Sequence, residues 1–328
     1  MRRRAGATRG GLGAVEAAPR TPLAAWLADL APYFRRPNSR REMLMALSFL
    51  APSLLVLIAF VYFPILWAFG ISFTNWQAGS SSTSFVGVKN YVDTLTSGDF
   101  LNALKNSVYF MVLKLPLDIV LSLLVALLLN QRLRGMSFFR VALFMPVVTS
   151  MVAAAAIWRV LYNPSTGFFN AVLNTFGLPS QRWLRDPNLA MPSVVLVALW
   201  KGLGYNIVIF LAGLQGISRV YYEAAEIDGA TNWQRFRYIT LPLLSPVTYF
   251  VVLIGVINSF KVFSLVHVLA PDGGPLNSVE VMVFYLYRLT FQRFKFGQGA
   301  AVSFILFAIV LGLTFIQQRV AEKRVHYE

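Results

Sequence analysis

Residues 223–242 read EAAEIDGATNWQRFRYITLP, and this stretch lies between two apolar segments, each long enough to cross a bilayer. Glu223, Ala224 and Ala225 fit a short helix that Ser218 can cap by offering its hydroxyl to an unpaired backbone N–H. Two alanines in a row leave a smooth face for a partner to approach. Gly229 follows Asp228 where this helix should stop, because glycine adopts the left-handed conformation at little cost. Thr231 then opens a second helix, with Gln234 at capping-box spacing. Trp233, Phe236, Tyr238 and Ile239 give that helix an apolar side, and Pro242 and Pro246 discourage its continuation. A helix–Gly–helix unit in water between membrane spans is built to be gripped by another protein. The plainer alternative is an amphipathic loop lying on the membrane surface.

The composition supports the membrane setting. Of 328 residues, 57% are hydrophobic and 13% charged, whereas a soluble domain carries about 25% charged residues. The formal net charge of +15 is unevenly distributed, with nine of the 29 Lys and Arg in the first 41 residues. That pattern suits anionic lipid and membrane orientation better than nucleic acid. There is no Cys, and only His267 and His326 represent histidine, so neither a disulfide framework nor a Cys- or His-rich metal site is expected. A phosphate cradle of the form G-x-x-x-x-G-K-[ST] is missing, and no nucleophile–base–acid set is evident. The chain therefore reads as a non-enzyme whose energy must come from another polypeptide.

A bilayer core needs about 20 apolar residues per helix. Six segments qualify, at roughly 46–72, 106–129, 139–161, 192–215, 246–269 and 299–317. The fold class read from them is an all-α membrane protein of six transmembrane helices. A basic tail (1–42) would precede a transmembrane domain (43–320), whose loop 217–244 faces the cytoplasm; a short tail (321–328) would close the chain. Residues 1–42 read as partly disordered, with a short surface helix around Trp26–Leu30. Eighteen basic residues fall in the tails and in the loops on their side, including Arg132, Arg134, Arg140, Arg219, Arg235, Arg237, Arg319, Lys323 and Arg324. The alternate loops hold fewer, among them Lys89, Arg182, Arg185, Arg288, Arg293 and Lys295. The positive-inside rule then places both termini and the 217–244 loop in the cytoplasm. The aromatics of the opposite loop 271–298 read as interfacial helical pieces packed against the headgroup layer, with partner docking as the second reading.

The spacing E-A-A-x-x-D-G-A followed eleven residues later by L-P resembles the coupling loop of binding-protein-dependent ABC importer permeases. Each fixed position is filled: Glu223, Ala224, Ala225, Asp228, Gly229, Ala230, Leu241 and Pro242. The resemblance extends along the membrane part. Ser72-Phe73-Thr74-Asn75-Trp76, Phe85-Val86-Gly87 with Asn90-Tyr91, Asn163-Pro164 with Gly167, Trp200-Lys201-Gly202, Leu211-Ala212-Gly213-Leu214-Gln215, Gly273-Gly274-Pro275, and Phe296-Gly297 with Ala300-Ala301 are similar to carbohydrate-uptake permeases of the maltose and glycerol-3-phosphate type. Such a resemblance implies an inner-membrane component of a bacterial or archaeal importer with no cofactor of its own. ATP and Mg would sit on a partner ATPase dimer. A second permease subunit, usually a different chain, and an extracytoplasmic solute-binding protein would complete the assembly. Glu223, Asp228 and Gly229 would form the mechanical joint, and Trp233 and Phe236 the docking face.

Polar side chains inside a membrane are expensive and need a partner or a purpose. Lys114 and Asp118 are four apart and share a helix face; a mutual salt bridge is the simplest reading, a transport role the other. Lys201, Tyr205 and Asn206 in span four stand at a depth similar to Asn258, Ser259 and Lys261 in span five. These amide, hydroxyl and ammonium groups suit sugar hydroxyls, and Tyr205, Phe260 and Phe263 could supply a flat stacking face. By resemblance, Gly202, Tyr205, Ser259 and their neighbours face the translocation pathway. Asn258 and Ser259 could instead bond across helices, and Lys201 and Lys261 could favour an anionic solute or pair with a carboxylate. An ion-coupled secondary transporter is the alternative function. It would need a titrating intramembrane acid, and Asp118 is the one carboxylate deep in a span.

Overall fold

The computed structural model describes residues 37–80, 82–131 and 135–321, and every named element in it is helical. Residues 1–36, Arg132, Arg134, Lys323 and Arg324 lie outside these residues, as does the helix expected near Trp26–Leu30. The chain divides into two units, residues 1–66 and 67–328.

In the first unit, the described residues are helical from Pro37. This helix continues as an apolar helix, α1 (Arg41–Ile71), whose described residues up to 66 are exposed. A π-turn at Ile58–Tyr62 closes with the Phe63 N–H donating to Ile58 O. Pro64 follows immediately and has no N–H to give, so the helical ladder is locally rearranged where its regular bond would be lost.

The second unit carries the packed core. Its elements are α2 (Lys89–Leu95), α3 (Gly98–Leu129), α4 (Met136–Val148), α5 (Met151–Leu161), α6 (Phe168–Thr175), α7 (Pro187–Gly216), α8 (Arg219–Ile227), α9 (Asn232–Leu243), α10 (Ser245–Phe260), α11 (Ser264–Leu269), α12 (Met282–Tyr287) and α13 (Phe296–Ala321). The helix α7 starts where Pro187 fits the first helical turn and the Asp186 carboxylate accepts from Asn188 N at 2.8 Å, a capped N-terminus with its proline in the tolerated position. Along most of its length α7 packs on α3, while α4 and α10 close its other sides. Its buried face (Val194, Val195, Val197, Ala198, Leu199, Ile207, Phe210) feeds two of the hydrophobic clusters. Gly204 allows α4 to come this close: a Cβ there would stand 2.3 Å from Leu143 O.

The helices α1, α3, α7 and α13 are long and apolar enough to cross a membrane, and two bent pairs raise the number to as many as six. Two expected spans are interrupted rather than straight. The segment at 139–161 is not one rod: α4 and α5 meet at 98° across Thr149 and Ser150. Pro146 lies in the last turn of α4, where it cannot donate to the ladder. The segment at 246–269 ends as a helix at Phe260, and a turn through Lys261–Phe263 separates it from the short α11. The aromatics of 271–298 also divide differently from expectation. Phe284 and Tyr285 are buried in the protein core, while Phe291 and Phe294 are exposed.

The pieces of the resemblance at 72–76, 85–91 and 296–297 meet around the N-terminal end of α13. Asn90 Nδ2 donates to the carbonyls of Ser72 (2.8 Å) and Thr74 (2.7 Å). Tyr91 Oη bonds Ser72 Oγ at 2.7 Å, Val86 N donates to Phe73 O, and the Trp76 ring stacks on Phe296 with centroids 4.9 Å apart. These pieces, each carrying little information alone, form one hydrogen-bonded corner.

Candidate functional site

The 217–244 segment forms two helices joined at Gly229. Ile227 ends α8, Asp228 follows, and Gly229 has φ +75°. Gly229 N donates to Glu226 O at 3.1 Å and Ala230 N to Ala225 O at 2.8 Å. These are the paired bonds of a Schellman C-cap, which satisfy carbonyls the helix end would leave bare. Thr231 and Gln234 make the expected capping box at the start of α9. Ser218 holds the N-cap position of α8, but its hydroxyl makes no capping bond; that expectation is corrected.

Contacts between distant residues stiffen the elbow. Tyr222 Oη bonds the buried Thr240 Oγ1 at 3.0 Å, and Arg235 reaches Glu226 at 3.4 Å and Asn232 Oδ1 at 2.7 Å. Glu223, Ala224, Asp228 and Gly229 are exposed; Ala225 and Ala230 are half-buried. Ile227, at 88% exposure, and Trp233, at 69%, present large apolar groups to the surroundings, whereas Phe236 is half-buried with its ring 5.6 Å from that of Trp233. The half-buried Leu241 and Pro242 lead to Leu244, which is fully buried in the cluster of Ala126, Ile207, Phe210 and Leu214. There α9 turns by 61° into α10. Leu244 thus packs the junction of α9 and α10 against α3 and α7. Leu244 was not singled out in the sequence, where a leucine among apolar residues carries no distinguishing signal.

The pathway candidates separate into two sets. Tyr205, Asn258 and Lys261 are exposed, and Gly202 and Asn206 are half-buried. Lys201 and Ser259 are buried: Lys201 Nζ donates to Val147 O at 2.8 Å and Ser259 Oγ to Gly255 O at 2.7 Å. Lys201 thus places its charge at the C-terminal end of α4, where the exposed carbonyls of a broken span attract a cation. Lys201→Met is expected to cost about 2 kcal/mol, the range for a charged hydrogen bond, read as a lower unfolding temperature of the detergent-purified protein. An unchanged temperature would show that the bond is dispensable.

Asp118, 1% exposed, pairs with Lys114 and accepts a longer bond from Ser122 at 3.4 Å. The pair lies across from Gly202, where a Cβ would stand 4.0 Å from both Lys114 Nζ and Asp118 Oδ2. Of the three rings suggested for stacking, Tyr205 is 46% exposed, Phe260 is buried in the core, and Phe263 packs with His267, Phe284 and Tyr287. Arg159, at the end of α5, is exposed and donates to Val268 O at 3.4 Å. Outside the spans, Glu280 is buried beside Arg288 at 3.0 Å; desolvation raises its carboxyl pKa and the guanidinium partly offsets that rise.

Residues 118–327 match the family model described as the binding-protein-dependent transport system inner membrane component. The chain belongs to that family. The permease is 36% identical over 280 residues to the sn-glycerol-3-phosphate transport system permease protein UgpA of Agrobacterium fabrum, an alignment covering 84% of this chain and 94% of that one. It is 32% identical over 286 residues to the trehalose/maltose transport system permease protein MalF of Thermococcus litoralis, covering 87% and 96%. A solved bacterial alginate ABC transporter, in complex with alginate pentasaccharide-bound periplasmic protein, contains a chain of the same fold. The TM-score is 0.76 at 24% identity, over 87% of this permease and 96% of that chain. The matched family region includes the α8–α9 elbow and helices α7, α10 and α13.

Proposed function

We propose that this permease is one membrane subunit of an ATP-driven importer that moves a carbohydrate (a sugar, oligosaccharide or sugar or glycerol phosphate) into the cell by alternating access. The observation that carries this reading is the rigid α8–α9 elbow, with its exposed apolar face, wired through buried Leu244 into the helices that hold the polar candidates. Partner ATPases binding ATP and Mg grip Ile227 and Trp233. Their closure moves the elbow, and α3, α7 and α10 follow. The cavity opens toward an extracytoplasmic solute-binding protein, and hydrolysis resets it. Both termini and the elbow then lie in the cytoplasm, in agreement with the basic-residue excess on that side. The names of the UgpA and MalF relatives and the periplasmic protein bound to the alginate transporter support the carbohydrate class and the partners. A second, different permease chain completes the pathway.

The ion-coupled alternative is disfavoured because Asp118 is held by Lys114 within its own helix, rather than standing free to exchange a proton. Tyr205→Ala and Asn258→Ala, both at accessible positions in α7 and α10, are expected to raise the half-saturating solute concentration for uptake about tenfold, the scale of one lost stacking or hydrogen-bonding contact of 1–2 kcal/mol. Assembly with the ATPase subunits should persist. Normal uptake in both variants would remove these residues from the pathway. The function itself is tested by reconstituting the permease with its ATPases and measuring solute-dependent hydrolysis. Uptake driven by an ion gradient without ATP would overturn it.

A further inference from the structure

A cavity of about 260 Å³ opens where the segment after α1, the start of α2 and the start of α13 meet. Asn75, Gln77, Lys89, Asp93, Lys295 and Gln298 give it a polar lining. Among the described residues, neither the two ammonium groups nor the Asp93 carboxylate has a hydrogen-bond or ion-pair partner. Lys89 and Asp93 are four apart in α2, a spacing at which opposite charges commonly meet, yet they do not pair. Two ammonium groups held in one cavity repel each other, and an anion between them turns that repulsion into attraction.

The walls are fixed by bonds that leave these charged groups out. Asn75 Oδ1 accepts from Ser84 N at 2.7 Å, which leaves the Asn75 amide N–H groups to donate. Gly297 N donates to Trp76 O at 3.0 Å, and a Cβ at Gly297 would collide with Thr74 O. Just before Lys295, Phe294 has φ 54°, a left-handed conformation uncommon for a bulky residue that persists only where its surroundings over-determine it. Ala78 N donates to the Phe294 carbonyl at 3.1 Å, and Lys295 N donates to Leu289 O at 3.0 Å. This turn leaves the Phe294 ring exposed while the half-buried Lys295 lines the cavity. Phe85, Val88 and Val92 are exposed as well, and each adjoins a lining residue in the chain. A cationic cavity with an apolar rim therefore stands at the end of α1 and the start of α13, two helices of membrane-crossing length. That is the level at which Lys and Trp meet the headgroup layer.

We propose that this cavity holds the headgroup of a membrane phospholipid, with its phosphate between the Lys89 and Lys295 ammoniums and a terminal N–H or O–H of the headgroup donating to the Asp93 carboxylate. Asn75, Gln77 and Gln298 carry amide donors for the remaining phosphate oxygens. Charge-assisted hydrogen bonds of this kind are the strong ones, and basic pockets beside membrane helices are a recurrent means of holding lipid headgroups. A lipid fits better than a soluble phosphate because of the rim. A free anion would neutralise the lysines but leave Phe85, Val88, Val92 and Phe294 facing water, whereas the glycerol and acyl chains of a lipid cover them. Asp93 adds selectivity among lipids. Ethanolamine and glycerol headgroups present a donor to it; choline, with a quaternary nitrogen, presents none.

The test is native mass spectrometry of the full-length permease, delipidated in detergent and titrated with phosphatidylethanolamine, phosphatidylglycerol and phosphatidylcholine of identical acyl chains. The first two are expected to bind about tenfold tighter than the third, the scale of one charge-assisted hydrogen bond. Lys89→Gln combined with Lys295→Gln should weaken both by about tenfold or more. Asp93→Ala should bring all three lipids close to one affinity while phosphate-dependent binding persists. The substituted side chains are exposed or half-buried, so the unfolding temperature without added lipid should stay at the native value, which separates a lost site from a lost fold. Equal binding of the three lipids by the native permease would overturn the proposal, as would native affinity in the double lysine variant. Inorganic phosphate that displaces the lipid at equal concentration would reassign the cavity to a soluble anion and overturn it too.

Discussion

Gly229→Pro should abolish solute-stimulated ATP hydrolysis in the assembled transporter, a loss of at least tenfold, while the permease still reaches the membrane. Gly229 has φ +75°, and proline fixes φ near −65°, so the chain cannot turn as it does. Proline also removes the N–H that donates to Glu226 O, and the Ala230 bond to Ala225 O cannot survive the changed turn. With the C-cap lost, α8 no longer aims α9, and the Tyr222–Thr240 and Glu226–Arg235 contacts have no fixed geometry. Glu223→Lys reverses a charge on the exposed face without touching the turn, and should also uncouple hydrolysis. If both variants hydrolyse ATP at the native stimulated rate, the elbow transmits nothing and the lever reading fails.

The second large effect concerns stability. Lys114→Ala leaves the Asp118 carboxylate, 1% exposed, with only the Ser122 hydroxyl at 3.4 Å. Breaking a buried ion pair by removing one partner costs about 3–5 kcal/mol, because the remaining charge stays buried and uncompensated. The expected result is a large fall in the unfolding temperature in detergent and a low yield of folded protein. Replacing both, as Lys114→Leu with Asp118→Leu, should be nearly neutral, since paired burial of charge contributes little net stability. Native-like stability of the single variant would mean that Asp118 is protonated or solvated in the absence of Lys114, and would revive a titrating role for it. A double variant as unstable as the single one would show that the site needs polar groups for another reason.

The elbow was legible because its signals are local. Gly229 after a helix, Thr231 three residues before Gln234 and the prolines after position 241 act over a few residues through backbone geometry, and the structure contains the corresponding C-cap, capping box and bend. Ser218 shows the limit of such signals, since its side chain leaves the capping bond unmade. The breaks inside two expected spans were not legible for a related reason. Apolar content tells how much lipid or core a segment tolerates, but Thr149–Ser150 and Lys261–Phe263 break helices whose composition remains apolar throughout.

The amino-acid sequence by itself determined the membrane class, the family resemblance, the helix–Gly–helix elbow and the Lys114–Asp118 pair, because hydropathy, turn chemistry and i, i+4 spacing all act between near neighbours in the chain. Tertiary structure alone decided the rest: that Lys201 caps the end of α4, that Leu244 joins the elbow to the core, and that Lys89, Asp93 and Lys295 line one cavity. Each of these depends on contacts between residues far apart in sequence. Helix crossing and close approach, as at Gly204 on Leu143 O, set those contacts, and no local pattern encodes them.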